Sequence, residues 1–152
     1  MKKFLSIFVS LLFIVLVSGC SGKKTITCTK ESIDSENYKT VDTMKITYNS
    51  EKVLKVNDTI VTDTSVEYAD YALNIMDFFK SAFDEVDGIS ANIDKIGNDK
   101  IKTEIEIIYD KIDIDDLKEK LGSIADGNNF YTSINYTIDE FKEAHLEGYT
   151  CK

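Results

Sequence analysis

Apolar and polar positions change period several times along the chain, and each change marks an element. Ile26 to Lys30 reads as a short strand. Met44, Ile46 and Tyr48 then alternate with Lys45 and Thr47, the period of two that a half-buried strand requires. Asn49-Ser50-Glu51 supplies a turn, and Val53 to Val61 returns as the second arm of a hairpin. From Tyr68 the spacing lengthens to three and four, through Ala72, Ile75, Phe79, Ala82 and Val86, with Ala69, Met76 and Phe83 widening the stripe. That is the signature of a long amphipathic helix. Thr64, three residues before Glu67, suggests a capping box at its start, and Gly88 suits its end.

Alternation resumes at Ile89, Ala91 and Ile93, and Gly97-Asn98-Asp99 forms a turn. Ile101, Thr103, Ile105, Ile107 and Tyr109 then give the clearest alternating strand. A short helix is expected from Ile114 to Leu121, closed by Gly122, with a loop at Asn128-Asn129 and a strand from Phe130 to Tyr136. Thr137 and Glu140 make a second capping box for a helix running through Phe141 and Leu146 to Gly148, and Tyr149 to Cys151 ends the chain as a strand. Hairpins with separate helices predict an α+β domain: a mainly antiparallel sheet with one long amphipathic helix and two shorter helices packed on it.

The N-terminus obeys a different pattern. Lys2 and Lys3 precede an apolar run from Phe4 to Val17, broken only by Ser6 and Ser10, and Ser18-Gly19-Cys20 follows. A basic start, an apolar stretch and a small-residue cleavage site are the parts of a secretory signal. Fourteen helical residues rise about 21 Å, short of a hydrocarbon core of about 30 Å, so a permanent span is the weaker reading. Val17-Ser18-Gly19-Cys20 resembles the lipobox of bacterial lipoproteins. That resemblance implies cleavage of residues 1–19 and a diacylglyceryl thioether on Cys20. Two acyl chains anchor a protein stably where one does not. Ordinary secretion, with Cys20 an incidental thiol, is the competing reading. Residues 20–24 form a short tether reaching at most about 18 Å, so the domain of residues 25–152 is expected close to the bilayer on its extracytoplasmic face. Lys23 and Lys24 either lean on anionic headgroups, by roughly 1 kcal/mol each, or form a solvated linker.

Composition narrows the classes. Every one of the 18 basic residues is lysine, against 27 acids. Without Lys2 and Lys3 the remaining chain has 16 lysines and a formal charge of −11. This charge disfavours nucleic acid as a partner, since phosphate recognition needs a basic surface, and none is expected. With Cys20 lipidated, Cys28 and Cys151 remain, each in a strand-like context near one end of the domain. Outside the cytoplasm they are expected to pair. The bridge closes a loop of about 120 residues, for which chain entropy gives about 4–5 kcal/mol. Two buried reduced thiols are the alternative.

The layout also resembles the YehR-like family of small bacterial lipoproteins. The similar features are the lipobox, the early strands with a central helix, the run Ile107-Ile108-Tyr109-Asp110-Lys111-Ile112-Asp113, and the closing Phe141-Lys142-Glu143-Ala144 with Gly148-Tyr149-Thr150-Cys151-Lys152. The resemblance implies this fold and this anchoring, and it transfers no catalytic or binding residue.

No hydrolase, zinc-protease, phosphate-loop or dinucleotide motif occurs. His145 is the one histidine, late in the last helix, where it is expected to cap or face solvent. Asp110, Asp113, Asp115 and Asp116 offer oxygen ligands of the kind calcium takes, without the EF-hand spacing, and three of them sit where a helix start favours acids. Asp84, Glu85 and Asp87 beside Gly88 read as a solvated helix end, and the eight Tyr and eight Phe mainly as core. No catalytic residue, metal ligand or cofactor is assigned. The expectation is a non-enzymatic, membrane-anchored domain binding an envelope protein or ligand. An accessory structural role and an uncharacterised enzyme are the other readings.

Overall fold

The computed structural model describes residues 22–35, 38–122 and 134–152, with the side chains of 34, 35, 38 and 75–79 outside the description. Residues 1–19, Cys20, Asn128, Asn129 and the start of the strand expected at Phe130 therefore lie outside it; of the tether it includes Gly22 to Lys24. Six strands form one antiparallel sheet: β1 (Lys24–Ser35), β2 (Tyr38–Tyr48), β3 (Val53–Asp63), β4 (Ile89–Ile96), β5 (Lys100–Ile108) and β6 (Thr150–Cys151). Their spatial order is β4-β5-β3-β2-β1-β6. Helix α1 (Val66–Asp84) joins β3 to β4. A 3-10 turn (Tyr109–Lys111) and helix α2 (Ile114–Leu121) follow β5, and α3 (Ile138–His145) precedes β6. The architecture is α+β.

The sheet's register explains why it has one wet and one dry face. Ile26, Ile46, Val56, Ile107 and Ile89 stand side by side across β1, β2, β3, β5 and β4, a row of branched aliphatics on one side of the pleat. Such residues suit both the extended backbone and cross-strand packing. Helices cover that side. Phe83 of α1, Leu117 and Leu121 of α2 and Phe141 of α3 join Ile46, Val56 and Ile107 in a single core. The opposite side carries Thr150, Thr29, Thr43, Thr59, Glu104 and Asn92 in one cross-strand row.

Three local expectations need correction. The cap of α1 is Ser65, whose hydroxyl accepts from the Tyr68 N–H. Thr64 is instead buried, and its N–H donates to the Asp99 carbonyl in the turn between β4 and β5. One residue of slack separates cap from turn contact, because β3 must first hand the chain to that turn. The first strand is also longer than the expected Ile26 to Lys30, its pairing with β2 continuing to Ile33↔Lys39 and Ser35↔Tyr38. Charged outward side chains hide strand character that backbone pairing supplies. Finally, Ile134 and Asn135, in the stretch expected as a strand ending at Tyr136, form a turn leading into α3. The capping box of Thr137 and Glu140 on α3 is present as expected.

The connection from α1 to β4 depends on Gly88, whose φ is 88°. Its carbonyl accepts from the Ile108 N–H at 2.7 Å, and a Cβ there would lie 2.8 Å from the Ile108 carbonyl oxygen. Gly88→Ala therefore combines an unfavourable φ with an overlap against backbone. It is expected to lower the unfolding free energy by about 2–4 kcal/mol in urea titration, whereas Gly97→Ala, with open space around it, loses less.

Strands β1 and β6 meet at one edge of the sheet. Cys28 and Cys151 are direct partners in the β1–β6 ladder and form a disulfide across a separation of 123 residues. Thr27 and Lys152 exchange both backbone hydrogen bonds beside them, at 3.0 and 2.9 Å. The cysteines thus occupy a non-hydrogen-bonded pair, where antiparallel backbones come closest. Cys28 is fully buried against Met44, so its half of the bridge is part of the core, while Cys151 on the edge strand is exposed. A Cys28→Ala, Cys151→Ala double variant is expected to lose about 3–5 kcal/mol relative to the oxidised protein. Reduction of the wild type should give a similar loss in the same titration.

Candidate functional site

The row next to the aliphatic one runs Cys28, Met44, Asp58, Ile105 and Ala91 across the same five strands. Asp58 breaks it. The alternation that points Val56 into the core points Asp58 inward as well, and only 3% of its surface is exposed. One row further, β2 places Asp42 beside Ile60, diagonal to Asp58 and on the same face. The carboxyl of Asp58 donates a hydrogen bond to Asp42. Burial, and then the neighbouring Asp42, push its pKa up to about 8, while the Thr59 N–H acts in the other direction. One oxygen of each carboxyl, Oδ1 in both, is buried without a hydrogen-bond partner among the described residues.

The segment before β6 completes the group. The Tyr149 hydroxyl donates to Asp42 Oδ2 at 2.5 Å. Burial, with Asp42 and Asp58 adding to it, raises the pKa of that hydroxyl further above its ordinary value. Lys30 of β1, opposite Asp42 in register, holds its ammonium 5.6 Å from the centre of the Tyr149 ring and donates to the Glu147 carbonyl at 3.1 Å. Lys30, Tyr149, Asp42 and Asp58 are therefore a contiguous polar chain laid across the sheet face next to its aliphatic row. An open depression of about 410 Å³ adjoins it, lined by Asp58, Ile105 and Ala91 of the sheet and by Lys80 and Asp84 of α1. The latter two form an ion pair.

The residues singled out in the sequence fall elsewhere. Cys28 and Cys151 come together as described, and Cys20 is outside the described residues. His145 ends α3 half-buried, its ring centre 4.8 Å from that of Phe141 and 6.1 Å from that of Tyr136. Burial lowers its pKa, which favours the neutral imidazole at pH 7. It packs on aromatic rings rather than standing in solvent. The carboxylates around α2 diverge. Asp110 pairs with Lys52, Asp116 pairs with Lys120, and Asp113 caps α2 through the N–H groups of Asp115 and Asp116. Among the described residues no three or more His, Cys, Asp or Glu side chains are grouped to hold a metal.

Asp42 and Asp58 were not anticipated, yet they carry a signal. Each shares the parity of the apolar residues around it, Asp42 with Met44 and Ile46, and Asp58 with Val56 and Ile60. Because the Asp58 pKa is raised in the folded state, its protonated form is the one folding favours. Its contribution to stability is complete below about pH 4 and is lost as pH rises toward about 8. Asp58→Asn, which keeps a donor but cannot ionise, is expected to gain on the wild type across that window. The gain approaches about 1.4 kcal/mol per pH unit at its steepest, read from urea titrations at pH 5, 6, 7 and 8.

No protein-family model matches the chain, and no curated protein is significantly similar to it. Solved structures do show likeness. One is the NMR structure of a protein from Streptococcus pneumoniae TIGR4, 14% identical, with 86% of this chain and 85% of that one covered and a TM-score of 0.59. Another is the NMR structure of E. coli YehR, 12% identical, covering 86% and 92% of the two chains at a TM-score of 0.60. At these identities the likeness is one of backbone architecture, and the chain has a YehR-like fold.

Proposed function

We propose that the chain is an extracytoplasmic lipoprotein of the YehR-like kind, anchored by a diacylglyceryl group on Cys20, whose domain binds an envelope protein or ligand without catalysing a reaction. The anchor rests on the lipobox Val17-Ser18-Gly19-Cys20 behind a signal-like segment, with β1 beginning only four residues later at Lys24. In this reading the long amphipathic helix α1 closes the dry side of the sheet, and the two shorter helices complete the cover. The Cys28–Cys151 disulfide suits an oxidising compartment.

The observation that carries the binding role is the placement of exposed apolar side chains. β1 starts at Lys24, next to Tyr48, and its far end at Ile33 lies beside Lys39 and the end of β3. Ile33, Ile96, Val66, Tyr68 and Tyr71 all lie toward that far end. Tyr71 is 60% exposed and Ile33 69%. The salt bridge from Lys95 to Asp70 ties the first turns of α1 to the end of β4 there, at 2.6 Å. Apolar surface held away from the anchor is available to a partner approaching from outside the membrane.

The test is the intact mass of the protein extracted from membranes of an expressing bacterium. The expected mass is that of residues 20–152 plus diacylglycerol, with two thiols appearing only after reduction. Cys20→Ala should leave the protein unlipidated and move it out of the membrane fraction. An unlipidated wild-type mass would overturn the anchor.

A further inference from the structure

Two carboxyl groups in hydrogen-bond contact need a proton between them. Here Asp58 is buried and Asp42 half-buried on the sheet face, and most of their surroundings cannot yield. Asp42 and Asp58 stand on β2 and β3, each of which is hydrogen-bonded to neighbours on both sides. The groups facing Asp58 can be taken element by element. β1 contributes Lys30, β2 contributes Asp42, and the segment before β6 contributes Tyr149. From α1, Lys80 and Asp84 line the adjoining depression, paired to each other. β5 and β4 present Ile105 and Ala91 in register, with Glu104 and Glu106 at the alternate positions that face the other side of the sheet.

Among these neighbours, Tyr149 stands in the segment before β6, which can move without breaking a long ladder. β6 has two residues, against eleven in β2 and in β3. The stretch Glu147–Tyr149 is held to the sheet by the Tyr149 hydroxyl, by the Tyr149 ring against the edge of the core, and by the bond from Lys30 to the Glu147 carbonyl. Leu146, buried in the core, and Thr150, paired with Thr29, bound it on either side. Beyond Tyr149 the disulfide at Cys151 fixes the chain to β1.

We propose that Tyr149, Asp42 and Asp58 form a proton-operated latch: one proton held between the two carboxyls keeps the stretch Glu147–Tyr149 against the sheet, and its loss lets that stretch lift outward between the buried Leu146 and the disulfide-tied β6. With the proton present, Asp42 accepts from both Asp58 and Tyr149 and the chain is closed. Without it, two like charges face each other with Oδ1 of each buried and unpartnered among the described residues. The depression beside Asp58 does not reach Asp42, and lifting Tyr149 lets water solvate that second carboxylate. The raised pKa of Asp58 places the change on the alkaline side of neutrality. Tyr149 is shifted away from that range and remains a donor through it. The open form uncovers Asp42 and Asp58 together while Cys28 and Cys151 stay joined.

Hydrogen exchange on the full chain in detergent, followed by mass spectrometry at pH 6 and pH 9.5 with exchange times scaled for intrinsic chemistry, tests the latch. Peptides covering Leu146 to Thr150 are expected to lose protection about tenfold or more at the higher pH, while peptides from the centre of β3 do not change. Asp58→Asn should keep the closed level of protection at both values. Should that variant not fold, Asp42→Asn serves, since it also leaves one carboxyl and removes the repulsion. Equal protection of the wild type at both pH values overturns the proposal. So does the same alkaline loss in a folded variant carrying a single carboxyl.

Discussion

The covalent and hydrogen-bonded union of the first and last strands described organises what lies between them. β1 is the first strand and β6 the last, yet they are neighbours, and Cys28 couples them while also filling the core against Met44. A two-residue strand has almost no pairing energy of its own, since isolated short strand pairs are marginal in water. The disulfide lets β6 persist, and β6 in turn brings Tyr149 over the sheet. Without that junction the polar chain from Lys30 to Asp58 would have no lid, and buried acids would have no reason to stay dry.

The sheet divides its length between two tasks. Near Lys24 the inward positions form an uninterrupted aliphatic row, and the helices converge there. Farther along, the same inward positions carry Asp58, then Lys30 and Asp42, then Ser32, Thr40 and Thr62. Stability is concentrated at one end, and polar or exposed groups occupy the other. Structural elements that respond to ligands or protons are drawn from regions of low local stability, and this gradient supplies such a region without weakening the core.

Much of this was legible in the sequence because the period of the apolar residues is explicit. Ile101 to Ile107 can be only a strand, and the acids and lysines of Asp115 to Lys120 surround the apolar stripe of α2. The pairing of Cys28 with Cys151 followed from compartment and count, and the ladder then supplied its geometry. Other features were hidden for identifiable reasons. The far half of the first hairpin has polar residues on both faces, so only its backbone pairing marks it as strand. The cap of α1 moved from Thr64 to Ser65 because a tertiary bond to Asp99 claims the Thr64 backbone. Asp42 and Asp58 look like ordinary surface acids until register places them diagonal to each other. Parity along one strand hints at burial, but the contact depends on how two strands align, which single-strand periodicity does not contain.

The threading of the disulfide also sets how the molecule bears load. A pull applied between Lys24 and Lys152 travels from Lys24 to Cys28, crosses the sulfur bridge to Cys151, and leaves at once. The 122 residues between the cysteines stand outside that path. Tension along this line would load the start of β1, from Lys24 to Cys28, and its pairing with β2, and stop at a covalent bond before it reached the rest of the sheet or the helices. The domain is mechanically short-circuited, able to unfold by heat or denaturant but not by being drawn out from its two ends.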